Sequence, residues 1–180
     1  MLRHQASSKR SRGGASAGFT LVEVLVALMM LTTALVPAFV LATNALALSS
    51  SIRDSLIATG LAQEGVEVVR AMRDANWFAP TYPTTTFDAG LNVCANGCRV
   101  QWNTDGTTDP ILPMTNDFLK LDPLSGLYQY DKGTDTLFQR KITVTKVSPS
   151  EIAVISTVTW LERSSHRSTT VEYHLFDWIK

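Results

Sequence analysis

The chain has 180 residues, enough for one domain with appendages. Its formal net charge is zero, but residues 1–18 hold Arg3, Lys9, Arg10 and Arg12 and no acid; the remaining 16 − 4 = 12 Lys and Arg face all 16 acids, so residues 19–180 carry about −4. A mildly acidic body excludes a nucleic-acid binder that works by charge, and the short basic block is placed like an address.

The thirty residues from Phe19 to Leu48 contain one ionisable side chain, Glu23. Roughly 20 helical residues cross a bilayer's hydrocarbon core, so the segment is long enough to span. The preceding cations keep the N-terminus cytoplasmic, and everything after about residue 50 then faces the far side. A secretory signal ending at Ala45-Leu46-Ala47 is one reading, but the apolar stretch is about twice the usual length of such a core. A plain single-pass anchor is another; there Glu23 costs about 2–3 kcal/mol unless it sits at the interface.

A third reading takes the residues literally. Gly18-Phe19-Thr20-Leu21-Val22-Glu23, after a basic leader and before an apolar run, resembles the class III signal of type IV pilins and pseudopilins. The resemblance implies cleavage between Gly18 and Phe19 by a membrane-embedded prepilin peptidase, methylation of the Phe19 amine by the same enzyme, and a mature chain of 180 − 18 = 162 residues. It also gives Glu23 a purpose. A carboxylate among packed apolar helices needs a cation, and the amine of a neighbouring subunit's Phe19 is the natural partner, fixing the stagger between subunits. The other reading of Glu23 is an interfacial carboxylate without a partner.

The helical pattern continues past the span. Ile52, Leu56, Thr59, Ala62, Val66 and Val69 recur at spacings of three and four, an amphipathic stripe read as core against a sheet. Arg53, Asp54, Glu64, Glu67, Arg70 and Asp74 occupy the other side, with Glu67–Arg70 and Arg70–Asp74 at ion-pair spacing. Pro37 is expected to kink this helix or loosen one turn. Gly60 and Gly65 each weaken it by about 1 kcal/mol relative to alanine. Pro80, Pro83 and the threonines of residues 79–90 end it in a loop, expected on the surface.

A β region follows. "CRVQW", "DFLKLD" and "GLYQYD" alternate, and three longer runs, 136–147, 151–162 and 168–179, are separated by turns at Ser148-Pro149-Ser150 and at "RSSHR". Short connections make the last three an antiparallel meander. In 151–162, Ile152, Val154, Ser156, Val158 and Trp160 share one face. The tail "FQRKITVT … IAVISTVTWLER … HRSTTVEYHLFDWIK" and the segment "AQEGVEVVRAMRDANW" are similar to those of PilV-type minor pilins, leaving about 79–135 uncovered.

Cys94 and Cys98 flank Asn96-Gly97, a turn signal that brings the thiols together. In an oxidising compartment the pair reads as a disulfide; free thiols or half a metal site are the alternatives. Asn103, Asp105 and Asp109 with Gly106 echo a calcium loop without the full pattern; a hairpin loop held by Asx turns is the bland reading. His166, placed in a turn, and His174, on a strand, read as solvated or packed. Trp77, Trp102, Trp160 and Trp178 read as core or sheet-face residues. No catalytic motif is present, and no cofactor is expected.

These readings predict an α+β, type IV pilin-like fold: a long, kinked N-terminal helix on an antiparallel sheet of four or more strands. The expected organisation is a cleaved leader (1–18), a membrane and filament-core helix (19–48), its amphipathic second half (49–77) and a β head (78–180), with 79–135 irregular. The implied partners are the prepilin peptidase/methyltransferase, other pilins or pseudopilins, an inner-membrane assembly platform and the bilayer, with no nucleic acid. The implied location is the cytoplasmic membrane, N-terminus inside and head outside, then a pilus or periplasmic pseudopilus. The runner-up within the resemblance is a type II secretion pseudopilin; outside it, a membrane-anchored binding module that never polymerises.

Overall fold

The computed structural model describes residues 18–79, 81 and 86–178, and the chain divides into two compact units, Met1–Ala47 and Leu48–Lys180. One helix, α1 (Leu21–Phe78), begins in the first and ends in the second. In the first unit α1 is exposed from Leu21 to Leu46, with Ala47 half-buried, and runs through Pro37 without interruption. Pro37 has no amide hydrogen, so the carbonyl four residues back lacks its helical donor there.

In the second unit α1 is amphipathic and buries Ala58, Leu61, Ala62, Gly65, Val66, Val68, Val69, Met72, Arg73 and Trp77. The expected stripe is therefore displaced. Its first two members, Ile52 and Leu56, are 52% and 69% exposed, because at 3.6 residues per turn they lie about a third of a turn or more round the helix from the buried line of Ala58, Gly65 and Val69. Glu64, expected on the solvated side, turns to the buried Arg140 (below). Glu67 and Arg70 form the expected pair at 3.0 Å. Asp74, expected with Arg70, instead holds Arg73 at 2.7 Å, while Arg70 lies over the Tyr173 ring at 4.4 Å.

Eight strands follow among the described residues: β1 (Cys98–Arg99), β2 (Leu112–Pro113), β3 (Lys120–Leu121), β4 (Tyr128–Gln129), β5 (Thr134–Asp135), β6 (Gln139–Ser148), β7 (Glu151–Glu162) and β8 (Ser165–Phe176). They form a five-stranded sheet, β2-β1-β6-β7-β8, and a three-stranded one, β4-β3-β5, antiparallel throughout. This is an α+β, type IV pilin-like arrangement. The β6–β7–β8 meander is the expected one, and of the two faces of β7 the one that carries Ile152, Val154, Ser156, Val158 and Trp160 is buried. Ile152 and Val154 cluster with Val66, Val69, Met72 and Trp77, whereas Val158 and Trp160 cluster with Ala58, Leu61 and Ala62. So β7 starts beside the C-terminal end of α1 and ends beside residues 58–62.

The last turn is shorter than "RSSHR". Arg163 and Ser164, at φ 46° and 70°, close a two-residue hairpin, and pairing resumes at Glu162↔Ser165. His166 therefore lies in β8. A two-residue hairpin with both φ positive is usually announced by Asn-Gly or Asp-Gly, and this sequence offers no such signal.

Gly65 also has a role beyond helix propensity. A Cβ there would stand 2.6 Å from Ile142 Cδ1 and 2.8 Å from Ser156 Oγ, so its absence lets α1 approach β6 and β7 closely. Arg140 of β6 is 1% exposed. It donates through Nη1 to the Leu61 carbonyl (2.9 Å) and Glu64 Oε1 (3.0 Å), and through Nη2 to the Val100 carbonyl (2.5 Å).

The loop after α1 was expected on the surface. Most of its first half lies outside the described residues; its end is anchored, with Phe87 1% exposed in the core and Asn76 donating to the Phe87 and Ala89 carbonyls at 3.0 Å. Of the tryptophans, Trp77 and Trp160 are buried, while Trp102 and Trp178 are 51% and 69% exposed. Trp178 nonetheless packs edge-on against Trp77 at 4.9 Å. Trp77 donates to Asp177 Oδ1 (3.2 Å) and Arg73 to the Phe176 carbonyl (2.9 Å), tying the end of β8 to the end of α1.

Candidate functional site

The residues singled out for processing sit at the start of α1. Gly18, Phe19 and Thr20 are non-helical and exposed, and the helix begins at Leu21. Thr20 sets that boundary. Its Oγ1 accepts the Glu23 amide hydrogen at 3.2 Å, and its carbonyl accepts that of Val24 at 3.2 Å. This is an N-cap, with Glu23 at the third helical position. Thr20 was not singled out in the sequence, although Thr-x-x-Glu is the spacing of a capping box. Glu23 thus has a local reason for its place as well: a carboxylate in the first turn faces the positive end of the helix dipole. Its side chain is exposed, and none of the hydrogen bonds or ion pairs among the described residues engages its carboxylate.

Among the described residues no packing requires these residue types. A Cβ on Gly18 would meet nothing within 4 Å, and Phe19 is 81% exposed.

The helix that follows is long and apolar enough to cross a membrane, by length and composition. Its hydroxyls are satisfied internally. Thr32 donates to the Leu28 and Met29 carbonyls (3.0 Å each), Thr33 to Met29 (2.7 Å) and Thr43 to Val40 (2.9 Å). A hydroxyl bonded back onto its own helix needs no water, the condition for burying it in hydrocarbon.

The model of the prokaryotic N-terminal methylation motif matches residues 14–39. The match spans the Gly18–Phe19 bond, Glu23 and Pro37, and it supports a class III prepilin signal and a pilin-like chain processed by prepilin peptidase. Comparisons with curated proteins and with solved structures return no match.

The head's candidate residues lie apart from this segment in the sequence. Cys94 and Cys98 are bonded to each other, with Cα atoms 4.7 Å apart, and both are fully buried. Cys94 ends a 3₁₀ turn, Leu91–Cys94, and Cys98 opens β1, so the bond fastens an irregular segment to the sheet. In the candidate calcium loop, Asp105 Oδ1 accepts the amide hydrogens of Thr107 (2.8 Å), Thr108 (2.7 Å) and Asp109 (3.0 Å). The Asp109 and Thr107 amides hold the Asp105 carboxyl far below the usual carboxylate range. Asp109 Oδ2 accepts from Gln101 Nε2 at 3.3 Å. Asp105 and Asp109 thus serve an Asx-type loop, and the described residues contain no group of three or more His, Cys, Asp or Glu placed to hold a metal ion.

Proposed function

We propose that this chain is a non-enzymatic, minor pilin-like subunit. On this reading prepilin peptidase cleaves it between Gly18 and Phe19 and methylates Phe19. The chain waits in the cytoplasmic membrane with its head outside, and its N-terminal helix then enters a type IV pilus, where PilV-type subunits prime assembly or sit near the tip. Within the filament Glu23 neutralises the amine of a neighbouring subunit's Phe19, and Pro37 loosens one turn of the shaft.

A single observation carries the reading: the methylation-motif match over residues 14–39, at a Gly18–Phe19 step that packs against nothing among the described residues. Exposure of Phe19 and Glu23 supports it further, since both are open to a neighbour. N-terminal mass spectrometry of protein from cells with an active peptidase tests it. The expected product begins at methyl-Phe19 and has 180 − 18 = 162 residues. A retained leader would refute the proposal, and a start at Leu48 would establish a secretory signal instead. Glu23→Ala tests the assembly step: the variant should enter the membrane normally and be missing from sheared filaments.

A further inference from the structure

We propose that the free edge of β8 takes an extended, proline-free segment of a different polypeptide as a sixth, antiparallel strand of the larger sheet. Docking of this kind requires neither cleavage nor polymerisation of the chain.

β8 (Ser165–Phe176) is the last strand in the order β2-β1-β6-β7-β8. In a two-residue hairpin the residues flanking the turn bond to each other through both backbone groups, here Glu162 and Ser165. Bonding to β7 then falls on every second residue, from Ser165 and Arg167 to Leu175. Asp177 continues the series by donating to the Ser150 carbonyl at 2.8 Å. His166, Ser168, Thr170, Glu172 and His174 therefore turn their N–H and C=O groups away from β7, along about 27 Å of edge. Among the described residues nothing bonds to these groups. The next outward carbonyl, that of Phe176, is taken by Arg73.

Natural sheets blunt an exposed edge with proline, lysine, a bulge or shortness. The opposite edge follows this rule: β2 is two residues long and ends in Pro113. β8 does not. It has twelve residues, no proline, lysine or glycine, and an unbroken register with β7. Its charges do not guard it, because Arg167 is held by Glu162 at 3.3 Å and Glu172 lies 3.4 Å from His174 Nε2. Ser168 and Thr170, at the middle of the edge, are small.

Donors and acceptors alternating at two-residue spacing along a line match another backbone, so the occupant is a polypeptide strand. A second copy of this chain does not fit. Its β2 is too short and lacks the Pro113 amide hydrogen. Its β8 would point the wrong way. Trp160, opposite Arg167, clusters with Ala58, Leu61 and Ala62, while Leu175 clusters with Met72 and Trp77, so β8 runs in the same sense as α1. Two copies joined antiparallel through β8 would hold their Leu48 residues at opposite ends of the joined sheet. On the reading of residues 19–48 as a membrane span, both must leave one bilayer. A segment without that anchor is free to run antiparallel, the stronger pairing. Opposite the exposed Glu172 it would carry a basic side chain. The β8 sequence itself meets this condition when laid antiparallel on β8: with Ser168 against Thr170, His166 meets Glu172 and no like charges meet. A peptide of residues 165–176 is therefore a suitable probe.

Hydrogen exchange at single-residue resolution tests this on the full-length protein in detergent, with and without that peptide. Saturating peptide should slow the amides of Ser168, Thr170 and Glu172 several-fold and leave those of Arg167, Thr169 and Val171, already bonded to β7, unchanged. A peptide N-methylated at its Thr169 and Val171, on its far edge, should protect equally; one N-methylated at its Ser168 and Thr170 should not. Thr170→Pro in the protein removes an outward N–H without touching a bond to β7. It should abolish the protection, with slow exchange at Arg167 and Thr169 as the control for folding. Absence of protection at saturating peptide, protection of both series alike, or protection that survives Thr170→Pro would overturn the proposal. So would slowing of the outward amides with protein concentration alone, which would make the occupant a second copy.

Discussion

At the scale of residues, Arg140 does the most to join the head. Its guanidinium connects α1, β6 and the segment after β1 through the carbonyls of Leu61 and Val100 and the carboxylate of Glu64. Removing one partner of a buried charged network leaves the others unsatisfied, at a cost of about 3–5 kcal/mol. Arg140→Ala should therefore lower the unfolding free energy of the head by about that amount, read from urea midpoints. Arg140→Met, which fills the space without a charge, should lose markedly less. In the sequence this arginine is one charge among the polar residues of the run 136–147. Its burial depends on carbonyls 40 and 79 residues away, which no local pattern encodes. Gly65 is similar: helix propensity registers only its cost, while its use lies in the approach of Ile142 and Ser156.

At the scale of elements, the irregular stretch between α1 and β6 is held by its links rather than by regular structure. The Cys94–Cys98 bond closes a very short loop, so the chain-entropy argument assigns it roughly 2 kcal/mol. Reduction, or C94A/C98A, should lower the urea midpoint accordingly while leaving the β6–β8 meander folded by circular dichroism. The outer end of β8 carries a titratable link. His174 Nδ1 lies 2.6 Å from Glu151 Oε1, and Nε2 lies 3.4 Å from Glu172 Oε1. The hydrogen bond to Glu151 raises the imidazole above its ordinary value. A raised folded-state pKa gives stability that is complete below the unfolded value, about 6.5, and disappears as pH rises through the folded value. The melting temperature should therefore fall slightly between about pH 6 and pH 9, and His174→Asn should flatten that decline.

At the scale of the whole molecule, the buried core among the described residues lies in the second unit, between Ala58 and Leu175. The described part of the first unit buries nothing. A chain beginning at Leu48 should accordingly remain soluble and unfold cooperatively, as measured by sedimentation and thermal melting. Precipitation, or a non-cooperative melt, would mean that the apolar segment contributes to folding the head.

The sequence by itself determined the long apolar run, the basic block before it, the Gly18–Phe19 step within the methylation-motif match and the three-stranded meander. Each of these is written in a local composition or a short period: an apolar run, a hexapeptide, alternation between compact turns. Only the tertiary structure decided which face of α1 is covered, that Glu64 turns inward to Arg140, that Gly65 permits close packing, and that the last hairpin turns on Arg163 and Ser164. Those outcomes depend on where the sheet begins along the helix and on partners distant in the chain, and burial belongs to the assembled surfaces rather than to the residues that supply them.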